Sequence, residues 1–297
     1  MSILAHGGGW RRTAVLLPPY LWLALFFAAP ILVVLAISLS DPVTGIPPYA
    51  PLLDWPGPSF TGDLDNYRLL AEDSYYLDAF LGSLRIAGLS ALICLVLGYP
   101  MALAIARAPA ARRPALLLLL MVPFWTSFLI RTYAWISLLN SNGLINQALL
   151  GIGLIDTPLT LLYTDAAVFI GIVYAYLPFM VLPIYAVLER QDPALLEAAE
   201  DLGARPLTAF LSITLPLSLP GVFAGCLLVL VPALGEFVIP ELLGGSDFLM
   251  IGRLLWTETF QNRDWPLAAA ITIALLVVVV GPLLAVQRLS GRQGARA

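Results

Sequence analysis

Asp192-Pro-Ala-Leu-Leu-Glu-Ala-Ala-Glu-Asp-Leu-Gly203, continued by Ala204-Arg-Pro-Leu-Thr-Ala-Phe-Leu-Ser-Ile-Thr-Leu-Pro216, is a polar interruption between two long apolar runs. Its signals are those of a short helix. Asp192 offers an N-cap carboxylate, and Pro193 suits the first helical position. Leu195, Ala199 and Leu202 recur at i, i+4 and i+7 and make one apolar stripe, with Glu197, Glu200 and Asp201 opposite. Gly203 supplies a left-handed cap. Pro206 then starts a second short helix with Leu207, Phe210 and Leu211 on one face. The spacing predicts two short helices joined by a tight turn. A helix lying on lipid favours Arg and Lys on its polar face, and this face is acidic. A protein partner with a groove for the apolar stripe fits better, and Ala198 and Ala199 are small enough for close approach.

The apolar runs on either side set the fold class. Of 297 residues, 60% are hydrophobic and only 11% are charged, too few charges to cover a soluble chain of this length. Six stretches reach the roughly 20 apolar residues a membrane crossing needs, at about 14–38, 79–106, 115–138, 165–188, 217–241 and 266–288. The expected architecture is an all-α polytopic membrane protein with six transmembrane helices. It divides into an N-terminal tail (1–13), one transmembrane domain (14–288) and a C-terminal tail (289–297). The domain carries an external loop at 39–78 and a cytoplasmic loop at 189–216.

Arg placement predicts orientation. Arg11 and Arg12, then Arg107, Arg112 and Arg113, then Arg190 and Arg205, then Arg288, Arg292 and Arg296 mark one side as cytoplasmic. The opposite loops hold only Arg68, Arg253 and Arg263, and the first of them is acidic. Both termini, and the 189–216 loop, are then expected inside. Six prolines between Pro42 and Pro58 make the first half of the external loop extended and stiff, and a short helix is expected over 64–70.

Composition also excludes chemistry. All fifteen basic residues are Arg, so the chain has no P-loop Lys and no Schiff-base Lys. A single His, His6, leaves no His-based triad or metal centre. No catalytic residue and no metal ligand is assigned. Cys94 and Cys226 read as small buried hydrophobes. The candidate pathway residues lie elsewhere. Glu236 and Glu241 sit at the outer end of the fifth span, where carboxylates are costly and line a cavity or pair. Tyr174, Tyr176, Trp125 and Phe237 supply aromatic faces for a cation. Arg131 is the candidate partner for a structural ion pair with either glutamate. The 242–265 segment either dips into the outer cavity or touches an external partner.

The stretch from Glu197-Ala-Ala through Gly203, Ile213 and Leu215-Pro216 to Gly221 strongly resembles the EAA loop of inner-membrane permease subunits of ABC importers. Four further blocks are similar to polyamine permeases, closest to the putrescine branch. They are Ile46-Pro-Pro-Tyr49 with Pro51-Leu-Leu-Asp-Trp55, Trp125 to Trp135, Gly171 to Pro183, and Val231 to Gly245. The resemblance implies a type I importer permease fold in the bacterial inner membrane and half of a translocation pathway. It implies a second related permease, two ATPase subunits that hold the ATP and Mg, and a periplasmic or extracellular polyamine-binding protein. This chain itself would bind no cofactor and no nucleic acid. In the resemblance the ATPase handle comprises Glu197, Ala198, Ala199, Asp201, Gly203, Phe210, Leu215 and Pro216. The rival reading is a stand-alone secondary transporter or channel for a cationic solute. An intramembrane enzyme would need a nucleophile–base pair that the composition does not supply.

Overall fold

The computed structural model describes residues 9–54, 59–245 and 248–294, so His6, Trp55, Pro56 and Pro58 lie outside it. The described residues are almost entirely helical. Two compact units form, one from residues 1–74 and 255–297, the other from 75–254.

The first unit holds the first and last long helices. Helix α1 (Gly9–Leu23) continues through a π turn at Ala24–Ala28 into α2 (Ala29–Ser38). The wider turn precedes Pro30, whose ring cannot fit against the carbonyl four residues back in regular helix. In the external loop, residues 44–48 form bends, not an extended run. An isolated bridge joins Pro42 to Tyr49, and two-residue strands β1 (Leu53–Asp54) and β2 (Ser59–Phe60) pair antiparallel. The expected short helix is α3 (Asp65–Glu72). Asn66 fixes it to the end of α2 by donating to the Ser38 and Ser40 carbonyls.

The second unit begins with α4 (Ser74–Arg107), then α5 (Arg113–Met121), a 3-10 turn at Val122–Trp125, α6 (Phe128–Leu139) and α7 (Leu144–Gly151). The sequence predicts one straight span over 115–138. Instead the chain bends by 87° between Arg113–Trp125 and Phe128–Gly151. The break follows from Pro123, which tightens the turn, and from the extended backbone of Thr126 and Ser127. Helix α8 (Asp165–Leu188) runs unbroken through Pro178 and Pro183, with Thr164 capping it by accepting the Ala167 N–H at 3.3 Å.

The short helix of the polar interruption is α9 (Ala194–Asp201). The second short helix expected after it is not separate. Helix α10 (Pro206–Ala209) passes through a π turn at Phe210–Thr214 into α11 (Leu215–Leu234), giving one 29-residue helix. The π turn again accommodates a proline, Pro216, without ending the helix. Past Leu234 come α12 (Val238–Leu243) and α13 (Ile251–Trp256), then a π turn at Thr257–Gln261 and α14 (Trp265–Gly294) in the first unit.

Among the described residues, four helices are long and apolar enough to cross a membrane, five if the bent pair counts as one, and α14 adds a shorter apolar stretch at Trp265–Gly281. Helix α8 is the centre of the second unit. Glycines let its neighbours approach closely: Gly98 of α4 faces Met180 and Val181, Gly221 of α11 faces the Pro183 carbonyl, and Gly225 faces Met180. Gly221 and Gly225 form a Gly-x-x-x-Gly step, which brings backbones together where lipid offers no hydrophobic drive.

Candidate functional site

Two regions of the second unit carry the predicted residues. The first is the polar interruption. Asp192 accepts the Ala194 N–H at 3.0 Å, so its carboxylate caps α9. At the other end Gly203 has φ +78, with Gly203 N–H bonded to Glu200 O at 2.8 Å and Ala204 N–H to Ala199 O at 2.9 Å. This pair of bonds is a Schellman closure. An added Cβ at Gly203 would meet nothing within 4 Å. Glycine is needed there for backbone conformation, not for space. Gln191 donates to the Thr214 carbonyl at 3.1 Å and draws the two ends of the loop together. Arg113 reaches Glu189 at 3.4 Å and ties the loop to the start of α5.

Exposure sorts the predicted handle residues. Leu195, Leu202 and Leu207 are exposed, Leu202 at 89%, as are Glu197, Ala198, Asp201 and Gly203. Phe210 and Leu215 face the other way. Phe210 packs edge-to-face on Tyr99 at 5.7 Å, and Leu215 joins the same core. Tyr99 in turn shares a 2.8 Å hydrogen bond with Ser218. The exposed leucines therefore lie beside residues rooted in the bundle.

The second region is the outer end of the fifth span. Gly235 ends α11, and Glu236 is buried at 8% exposure. Its Oε1 accepts the Val238 N–H at 3.0 Å and the Ile239 N–H at 3.4 Å, capping α12. Its Oε2 accepts the Tyr176 hydroxyl. Glu236 thus has a structural occupation that its residue type alone does not announce.

The ion pair expected of Arg131 does not form with Glu236 or Glu241. Among the described residues, Glu241 pairs instead with Arg253, Nε to Oε2 at 2.7 Å. Arg131 lies with its guanidinium 4.8 Å from the Phe124 ring centroid and 5.7 Å from that of Phe128. Its Nε and Nη1 are buried without a hydrogen-bond acceptor. The break after Pro123 explains this: the bend carries Phe124 and Phe128 around the guanidinium, and the rings supply the electrostatic partner.

From Arg131 a line of aromatic contacts runs to Glu236. Phe124 packs on Phe179 at 5.5 Å, Phe179 on Tyr176 at 6.1 Å, and Tyr176 donates to Glu236. Tyr174 packs edge-to-face on Trp135 at 5.4 Å, on a neighbouring face of α8. Trp125 is 73% exposed at the bend, and Phe237 is half-buried beside Glu236. The arrangement brings aromatic rings and a buried acid together on one side of α8.

The 242–265 segment dips inward up to Leu254. Met250 and Ile251 are fully buried. Gly252 lies against the Gly235 and Glu236 carbonyls, where a Cβ would come within 2.6 Å. Ile251 N–H donates to Ser83 Oγ at 2.7 Å. Arg253 donates to the Gly245 carbonyl at 3.1 Å and the Phe248 carbonyl at 3.2 Å. Reading the sequence passed over Ser83, Gly252 and Arg253. For Gly252 and Arg253 the signal was an Arg beside a Gly within an apolar run of an outer loop; Ser83 had none.

Comparison with known proteins agrees with this architecture. Residues 98–290 match the family model described as "Binding-protein-dependent transport system inner membrane component". The spermidine/putrescine transport system permease protein PotB of Escherichia coli (strain K12) is 48% identical over 216 residues, 73% of this chain and 78% of that protein. PotB of Haemophilus influenzae (strain ATCC 51907 / DSM 11121 / KW20 / Rd) is 40% identical over 258 residues, 87% and 86% of the two chains. In fold, the chain resembles a crystal structure of a bacterial ABC transporter that imports the acidic polysaccharide alginate, with TM-score 0.70 over 95% of this chain and 96% of that one at 23% identity. The chain belongs to the family of inner-membrane components of binding-protein-dependent transport systems.

Proposed function

We propose that this chain is a permease subunit of an ATP-driven ABC importer of polyamines, with putrescine as the favoured cargo. The observation that carries the cargo class is its extensive identity with spermidine/putrescine permeases. The acids and aromatic rings of the second unit support it: an alkyl diammonium needs carboxylates for its ends and rings for its stem. A second related permease completes the pathway, and a soluble polyamine-binding protein delivers cargo. Two ATPase subunits bind ATP and Mg, and the permease contributes no catalytic group.

The coupling step runs through the 189–216 loop. Leu195 on α9, Leu202 just past its end and Leu207 at the start of α10 are exposed, and a groove on an ATPase subunit receives them. Helix α10 is continuous with α11. A push on the loop therefore moves the fifth span as a rigid body, together with Glu236 at its far end. ATP binding brings the two loops of the permease pair together and opens the pathway outward, and hydrolysis resets it. The test is the reconstituted complex with Gly203→Val. Valine is strained at φ +78, so the loop loses its shape while the bundle stays intact. Cargo-stimulated ATPase activity and uptake should fall about tenfold or more with assembly into the membrane retained. Wild-type uptake and stimulation in this variant would refute coupling through the loop. ATP-independent uptake by the chain alone would favour the rival reading of a secondary transporter.

A further inference from the structure

Helices α4, α5 and α8 border an open groove of about 410 Å³. Met101 and Ile105 of α4 line it, with Leu116 and Leu119 of α5, Pro123 of the 3-10 turn and Leu177 of α8. The lining is almost wholly apolar, and Met101, Leu116 and Leu119 are exposed, Leu119 at 67%.

One end of the groove is charged. Arg112, Leu116, Leu119 and Pro123 recur at i, i+4, i+7 and i+11 and so share one face. Arg112 therefore sits one turn beyond the apolar lining, where α5 starts, and Arg107 closes α4 five residues earlier. Both are exposed. Their neighbour Arg113 is already engaged. It donates to the Ala108 carbonyl at 2.9 Å and to Glu189 at 3.4 Å. Among the described residues, no acid pairs with Arg107 or Arg112.

Length narrows the occupant. From Arg112 to Pro123 a helical stripe rises about 16 Å, roughly half of a ~30 Å hydrocarbon core. Just past Pro123 the chain bends by 87°. The groove is thus one leaflet deep, with two unpaired guanidinium groups at its mouth. A partner helix crossing both leaflets would find a seat for half its length and two unopposed cations at the end. A phospholipid matches both the depth and the charge.

We infer that this groove binds one anionic glycerophospholipid, with an acyl chain along Leu116, Leu119 and Leu177 and its phosphate held by Arg112 and Arg107. The planar guanidinium takes two phosphate oxygens at once, and the Arg stems lie along the apolar surface. Basic side chains at the ends of spans recognise anionic headgroups by this chemistry. The site uses neither Glu236 nor Glu241 and is independent of which solute the pathway carries.

The test uses the complete complex in detergent, stripped of co-purified lipid and titrated with dioleoyl phosphatidylglycerol or dioleoyl phosphatidylcholine. Native mass spectrometry counts the lipids retained per complex. Wild type should hold phosphatidylglycerol at about tenfold lower concentration than phosphatidylcholine, the scale of two arginines at an anionic headgroup. Arg107→Gln with Arg112→Gln should retain one phosphatidylglycerol fewer. Leu119→Trp fills the groove and should also retain one fewer, with both arginines in place. Arg68→Gln, an exposed arginine already paired with Asp65, is the control and should match wild type. An undiminished count in the double arginine variant overturns the headgroup role. An undiminished count in Leu119→Trp overturns the groove. If the double variant does not assemble, Leu119→Trp decides by the same count. A groove covered by the second permease would leave wild type without a preference for phosphatidylglycerol, which also overturns the proposal.

Discussion

At the scale of single residues, Glu236 shows how one carboxylate carries two readings. Its oxygens cap α12 and accept the Tyr176 hydroxyl, which is a complete structural role. Its burial at the end of a membrane span is also the signature of a pathway acid. Glu236→Gln separates the roles. The amide oxygen still accepts the Val238 and Ile239 N–H groups, and the amide NH2 can donate to the Tyr176 oxygen, so the fold is kept. The negative charge alone is lost. Polyamine uptake and cargo-stimulated ATPase activity should fall about tenfold or more, the scale of one charge-assisted hydrogen bond. Full activity in this variant would assign Glu236 to the helix cap alone. At Arg131, by comparison, the Phe124 and Phe128 rings face the guanidinium in place of an acid.

At the scale of elements, helix type and most boundaries were legible because they rest on local chemistry. The 165–188 span was expected and found at those residues, with Thr164 as its cap. The α9 helix was legible from Asp192 and Gly203, whose cap geometries follow from residue type. The failures share one cause. Whether a proline ends, bends or merely widens a helix depends on the packing around it, which local sequence does not state. Pro123 gives an 87° break, whereas Pro216 gives a π turn inside one long helix. The pairing of α8 with α11 is likewise a tertiary fact, and it yields a prediction. A Cβ at Gly221 would stand 2.8 Å from the Pro183 carbonyl, and one at Gly225 2.8 Å from the Met180 sulfur and 3.0 Å from its carbonyl. Backbone atoms cannot yield as a side-chain tip can, so Gly221→Ala should cost about 1–3 kcal/mol and lower the thermal midpoint in detergent. Gly88→Ala is the control, since a Cβ there meets nothing within 4 Å. A Gly221→Ala midpoint equal to that of Gly88→Ala would show that the two helices are free to separate.

At the scale of the whole chain, the site was less legible than the fold, for a physical reason. Acids and aromatic rings could be named from type and depth, but their pairing is decided between distant segments. Glu241 meets Arg253 twelve positions on, and Glu236 meets Tyr176 sixty positions back. Orientation is proposed from composition alone. Nine of the fifteen arginines fall in the two tails and two loops assigned to the cytoplasm, with Arg288 at their edge, and the long 39–78 loop opposite them is acidic. The free energy of moving Arg across the bilayer makes that asymmetry a determinant of topology, not only a correlate. We propose six crossings, with Thr44 outside, Arg205 inside and both tails on the side of Arg205. Single cysteines at Thr44 and Arg205 test this in intact cells with a membrane-impermeant thiol reagent. Thr44→Cys should label at once, and Arg205→Cys only after the membrane is permeabilised. A green fluorescent reporter fused after Ala297 should fluoresce, since it folds on the cytoplasmic side. Equal labelling of the two cysteines in intact cells would break the orientation. It would also remove the 189–216 loop from the compartment that holds ATP, and the coupling proposed for it would fail with it.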